Sequence, residues 1–267
     1  MFYADAMTGQ EQGVMTIRAV CLDIAGVLTD SGRLLPGARE ALQALDDAGL
    51  PWRLLTNTSR RPQSAILAEL AGLGLSVSAA HLFAAPRVVA ETLRRRGLRP
   101  LLLVHPDIRS EFCGVDCHDP DAVVLCDAAE GLDYRSLDIA FDLLMQGAPL
   151  LAVGMNRYFQ GRERLELDAG PFVKALEYAS GVTAEVIGKP GRAMFDLACA
   201  SMGVSAADTV MIGDDVDADV LGALNAGLHG VLVRTGKYRS GDERRLPPGA
   251  TCEADVLSAV MAVLRMN

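Results

Sequence analysis

The chain of 267 residues is short of positive charge, of paired cysteine motifs and of long apolar runs. Lysine and arginine total 25 against 34 aspartates and glutamates, a formal net charge of −9. A general nucleic-acid binder draws its affinity from neutralising phosphates, so this balance argues against that class. The one basic run, Arg94-Arg95-Arg96, closes a predicted helix, where cations suit the helix dipole. No stretch approaches the roughly 20 apolar residues of a membrane span, so no membrane partner is expected. Residues 1–15 lack the basic start and apolar core of a secretory leader and read as a loose tail. The expectation is a cytoplasmic protein whose six cysteines are reduced thiols. Cys113, Cys117, His118 and Cys126 have loosely zinc-like spacing, but no CxxC pair supports them. Asp215, Asp217 and Asp219 mimic the opening of a calcium loop. That reading fails because Val220 stands where the loop needs glycine and Ala226 where it needs glutamate. There is no internal repeat and no low-complexity tract.

What is present is an apolar half of the composition, enough for a real core, arranged in alternating strand and helix patterns. Such alternation predicts an α/β fold with a doubly wound, mainly parallel sheet. Strand patterns lie at 19–22, 52–55, 101–104, 122–125, 150–153, 184–187, 209–212 and 231–233. Helical patterns lie between them, and an amphipathic helix ends the chain. We read a discontinuous core, residues 16–85 and 184–267, with a second α/β module inserted at 86–183.

Four polar sites share one position, the carboxyl end of an apolar strand. Asp23 follows Ala19-Val20-Cys21-Leu22, and Thr56 with Asn57 follows Trp52–Leu55. Lys189 lies just past 184–187, and Asp214 with Asp215 follows Thr209–Ile212. Each has an ordinary reading by itself: Asp23 caps a turn, Thr56-Asn57 caps a helix, Lys189 is an exposed turn lysine, and Asp214–Asp219 is an acid-rich helix start. In a doubly wound sheet, however, such strand ends converge on one crevice. Phosphoryl transfer there needs an in-line nucleophile and positive charge on the non-bridging oxygens. Asp23 suits the nucleophile, the Thr56 hydroxyl and nearby N–H groups suit the phosphate oxygens, and Lys189 is a fixed cation. Asp23 and Asp214 are the hard oxygen ligands that Mg²⁺ prefers. In the inserted module the polar stretch Asn156–Arg164 interrupts an apolar pattern. Its opening, Asn156-Arg157-Tyr158-Phe159, is expected to face a small phosphorylated substrate, with Arg157 and Tyr158 as candidates to bind its leaving group.

These four segments resemble the four motifs of the haloacid dehalogenase superfamily of phosphohydrolases, over nearly the whole chain after residue 15. Only 33 residues separate Asp23 from Thr56, whereas 133 separate Thr56 from Lys189. The chain is therefore similar to the subfamily with a large α/β cap between the second and third motifs. The strings GDDVDADV, VRTGKYRSGDE and LDAGPFVKALEYASG narrow the resemblance to a branch acting on pyrophosphate and phosphoramidates. The resemblance implies a Rossmann-like core with an α/β cap, an aspartyl-phosphate at Asp23, and substrate contacts from Thr56, Asn57 and Lys189. It also implies Mg²⁺ held by Asp23, Asp214, Asp219 and the backbone carbonyl of Ala25, and a homodimer through the cap.

One departure matters. Most of the superfamily carries a second aspartate two residues after the nucleophile, which protonates the leaving group; here that residue is Ala25. General acid–base help is worth about 10²–10⁴-fold. Alkyl phosphomonoesters should therefore be poor substrates, and pyrophosphate, aryl phosphates or phosphoramidates better ones. The alternative is a catalytically weak phosphate-binding or regulatory protein.

Overall fold

The computed structural model describes residues 16–160 and 164–266, so the tail expected at 1–15 lies outside the described residues. A six-stranded sheet runs in the order Thr251–Glu253, His229–Val233, Thr209–Gly213, Ala19–Asp23, Trp52–Thr56, Leu82–Ala84, with every neighbouring pair parallel. The Asp23 strand is central. Side chains alternate across a strand, and the burial follows that alternation. Val20, Leu22, Leu54, Val210 and Ile212 enter one apolar cluster with the helices Ala38–Asp47 and Val256–Leu264. Cys21, Leu55 and Met211 enter another, with the helices Ala85–Arg96 and Arg192–Met202. Strands buried on both faces read as continuous apolar runs, which is why AVCL, LL and VMI stand out in the sequence.

A second, four-stranded parallel sheet has the order Glu185–Val186, Leu150–Ala152, Ala122–Leu125, Pro100–Leu103. The helices Tyr134–Met145 and Gly170–Ser180 pack on one face of it. The segment 184–187, expected to resume the core, instead supplies this sheet's edge through Glu185 and Val186, opposite Leu151 and Ala152. Two residues carry too little pattern to say which sheet they join. The helix Ala85–Arg96, the start of the expected insert, buries Val88, Val89 and Leu93 in the same cluster as Cys21 and Phe195. The two sheets are thus joined by continuous apolar packing. No helix among the described residues is long and apolar enough to cross a membrane.

Candidate active site

The strand Ala19–Asp23 is fully buried, so Asp23 emerges at its carboxyl end only 7% exposed. Gly26 follows at φ 81°, and Gly236, at φ 59°, sits against it from a distant loop. A side-chain carbon on either glycine would overlap the carboxylate of Asp214, which lies between them. Glycine is required here both for the left-handed backbone and for the close approach. Thr235 reinforces the turn by donating its hydroxyl to the Gly26 carbonyl at 2.5 Å.

Asp214 follows the buried strand Thr209–Gly213 and is 2% exposed. Its Oδ2 accepts the Lys237 backbone N–H at 2.7 Å, whereas its Oδ1 is buried with no hydrogen-bond partner among the described residues. Asp219 lies on the wide helical turn Val216–Leu221, and its Oδ2 accepts the Asp215 N–H at 3.2 Å. Asp23, Asp214 and Asp219 offer oxygens that all lie within 4.8 Å of one another. Burial, with the charge of Asp23 adding, pushes the Asp214 carboxyl up to about 7. Burial also raises Asp219, against the pull of Lys189. A crowded, desolvated carboxylate set with an orphaned oxygen suits a hard divalent cation, and the donor set therefore fits Mg²⁺.

Lys189 is 3% exposed and bridges two of these carboxylates, with Nζ 2.7 Å from Asp23 Oδ1 and 2.7 Å from Asp219 Oδ1. Burial alone would lower its pKa, but Asp219 and Asp23 more than offset that and hold the ammonium above its ordinary range. Asn57 places this lysine. Its Nδ2 donates to the Lys189 carbonyl at 2.7 Å, and its Oδ1 accepts the Lys189 N–H at 2.9 Å. Both ends of the Asn57 amide thereby engage the Lys189 backbone, and Asn57 also lines the crevice. Thr56 is buried, and its hydroxyl shares a 2.9 Å hydrogen bond with that of Thr58. Ala25 lies beside these groups on the crevice wall and brings no proton donor.

A cavity of about 340 Å³ joins Asp23, Ala25, Thr56, Asn57, Lys189 and Asp219 to residues of the second sheet. A larger hollow of about 600 Å³ lies elsewhere, lined by Phe83, Arg87 and Arg94, and holds none of Asp23, Thr56, Lys189 or Asp214. The groups facing Asp23 across the smaller cavity are Asp127, Asn156, Phe159 and Asp168. Arg157 and Tyr158 do not line it; both are exposed, Tyr158 at 56%. The polar stretch forms an antiparallel hairpin of Tyr158–Gln160 with Leu165–Leu167, its tip at 161–163 lying outside the described residues. Successive strand residues face opposite ways, so Phe159 turns inward and Tyr158 outward. Of the expected substrate-facing stretch Asn156-Arg157-Tyr158-Phe159, Asn156 and Phe159 line the crevice; Arg60, Asp127, Asp168 and Lys237 were not singled out from the sequence. Asp127 alone had a legible signal, since it too stands just past an apolar strand, Ala122–Leu125.

Comparison with known proteins agrees with this geometry. A model of haloacid dehalogenase-like hydrolases matches residues 20–118, and a second, HAD-hydrolase-like model matches residues 186–259. The chain is 40% identical over 258 residues to the phospholysine phosphohistidine inorganic pyrophosphate phosphatase of Danio rerio, covering 94% of this chain and 96% of that one. It is 40% identical over 240 residues to the human haloacid dehalogenase-like hydrolase domain-containing protein 2, covering 89% and 93%. Among solved structures, a 4-nitrophenylphosphatase from Thermotoga maritima is 27% identical and superposes with a TM-score of 0.84, covering 92% of this chain and 97% of that one. The architecture is thus a Rossmann-like core with an inserted α/β cap, and the chain belongs to the haloacid dehalogenase-like hydrolases, as a phosphatase of that family.

Proposed function

We propose that the chain is a Mg²⁺-dependent phosphohydrolase that works through phospho-Asp23 on small phosphorylated compounds, with the six-stranded sheet as core and the four-stranded sheet, Glu185–Val186 included, as cap. The observation that carries this reading is the pairing of Asp23 with the buried Lys189 beside the orphaned oxygen of Asp214. Asp23 and Asp214 would hold the ion, with Asp219 beside them; when bound, it supplies positive charge against the phosphoryl oxygens and the crowded carboxylates. Asp219 also holds Lys189, whose ammonium screens the approach of the Asp23 anion to an anionic phosphoryl group. A carboxylate oxygen of Asp23 attacks phosphorus, and the bonding pair of the scissile bond departs with the leaving group. Thr56 and neighbouring N–H groups bind the phosphoryl oxygens. Water then attacks phosphorus, the bond from the Asp23 oxygen to phosphorus breaks and restores the carboxylate, and of the water's two protons one passes to solvent and the other stays on inorganic phosphate. Ala25 neither gives the first step a proton nor takes one in the second. Substrates whose leaving groups need no enzymic acid are therefore favoured: pyrophosphate, aryl phosphates and phosphoramidates.

The deciding experiment is hydrolysis of p-nitrophenyl phosphate and pyrophosphate with Mg²⁺, with and without EDTA, by wild type and Asp23→Asn. Metal-dependent turnover abolished in the variant is expected. Phosphate binding without turnover would instead support the weak or regulatory alternative that Ala25 suggests. We also infer a cytoplasmic homodimer joined through the cap, whose outer helices carry Tyr134 and Tyr178, 85% and 94% exposed. A monomeric mass by light scattering would remove the dimer.

A further inference from the structure

The wall opposite Asp23 has an unexpected charge for an enzyme of anionic substrates. Asp127 is 4% exposed and Asp168 half-buried, and both line the crevice. Asp127 accepts two hydrogen bonds from Arg60, from Nε at 2.5 Å and Nη2 at 3.0 Å, and a third from the Ala129 N–H at 3.1 Å. The same guanidinium stacks 4.6 Å over the ring of Phe159 and lies 3.7 Å from Glu166. A two-point carboxylate grip with an aromatic face is how proteins hold organic cations. Asp168 lies on the same wall beside Asp127. Burial is the main reason its pKa is raised, with a lesser push from Asp127, against the Ala169 N–H, Asn156 and Arg60. The crevice's other cations are engaged elsewhere: Lys189 between Asp23 and Asp219, Lys237 with Asp215 at 3.1 Å, and Arg61 with Glu69.

We propose that Asp127, Asp168 and the Phe159 ring form a subsite for a positively charged group, an ammonium or guanidinium, on the leaving portion of the substrate, with Arg60 as its resident occupant. The proposal rests on the phosphohydrolase reading and adds to it which leaving portions the cap accepts. Arg60 is one-third exposed and rises from the loop after Thr56, so it can share or yield the carboxylates when a substrate cation enters. Between two aryl phosphates, a tail ending in a carboxylate meets two carboxylates there and is disfavoured against a tail ending in a cation.

Three aryl phosphates with closely matched phenolic leaving groups and different tails test this: O-phosphotyramine (ammonium), 4-ethylphenyl phosphate (neutral) and the phosphate ester of 3-(4-hydroxyphenyl)propanoate (carboxylate). For the wild type, kcat/KM should fall in that order, with ammonium over carboxylate by about tenfold or more. Asp168→Asn should shrink that ratio by about tenfold, and Asp168→Glu should recover part of it. Equal rates for all three tails, or a uniform loss in Asp168→Asn, would overturn the subsite. The corresponding aryl phosphonates, titrated calorimetrically with wild type and Asp168→Asn, separate it from the hydrolase reading. Tail-dependent affinity without turnover of any phosphate keeps the subsite and sinks the hydrolase. Turnover without tail dependence does the reverse.

Discussion

In the metal-free protein the crowded carboxylates should make stability fall as pH rises, and removing one of them should reverse part of that fall. Asp214 titrates near 7 in the folded chain, because of burial and then the charge of Asp23, against an ordinary value of 3.8. Between those values the folded state keeps a proton that the unfolded state has released. The associated stability is fully present below about 4 and lost as pH rises through about 7. The slope is at most about 1.4 kcal/mol per pH unit for each such proton, so from pH 5 to 7 Asp214 accounts for up to about 3 kcal/mol. For a chain of this size that corresponds to roughly 6–12 °C in Tm. The assay is urea or thermal unfolding of wild type and Asp214→Asn in EDTA at pH 5, 6, 7 and 8. The variant should gain on wild type steadily from pH 5 to 7, and 10 mM Mg²⁺ should stabilise wild type most at high pH while helping the variant little. A wild-type-minus-variant difference that is flat in pH, or a variant equally stabilised by Mg²⁺, would refute the reasoning.

Four further outcomes are expected. Lys189→Met should abolish phosphatase turnover and cost about 3–5 kcal/mol in urea unfolding, because it leaves Asp23 and Asp219 buried without their shared cation. Gly26→Ala should cost at least about 1 kcal/mol and raise the Mg²⁺ concentration needed for half-maximal activity, since its new carbon displaces the Asp214 carboxylate. Ala25→Asp should raise the ratio of alkyl to aryl phosphate turnover at saturating Mg²⁺, because a delivered proton helps a basic alkoxide most; an unchanged ratio with normal metal binding would show that leaving-group preference is set elsewhere. Phe159→Ala should change relative rates among substrates while Arg157→Ala leaves them within about twofold, as befits one crevice-lining and one exposed residue.

Asp23, Thr56, Lys189 and Asp214 were legible in the sequence for a simple reason. Asp23 and Asp214 end uninterrupted apolar strands and Thr56 ends one broken only by Arg53, and parallel strands buried on both faces bring their carboxyl ends to one edge. Lys189 reaches that edge from the loop after Glu185–Val186 of the second sheet. The spacing between them also located the insert, because 33 residues cannot hold a cap and 133 can. Local pattern did not carry far enough to assign Glu185–Val186, whose two residues pair with the cap sheet rather than the core. Nor did it orient the hairpin 158–167: of the four residues expected to face the substrate, Asn156 and Phe159 line the crevice while Arg157 and Tyr158 do not. The Arg60–Asp127 grip joins residues 67 apart in the chain, and the Lys237 N–H reaches Asp214 across 23. No periodicity encodes such pairs. They exist because the ends of two separate sheets close on one crevice, so their geometry belongs to the packing of the whole chain. The chemistry at the core edge was set by residue type and position along the strands, and the charge of the wall facing it was decided only when the tertiary fold brought Asp127 and Asp168 together.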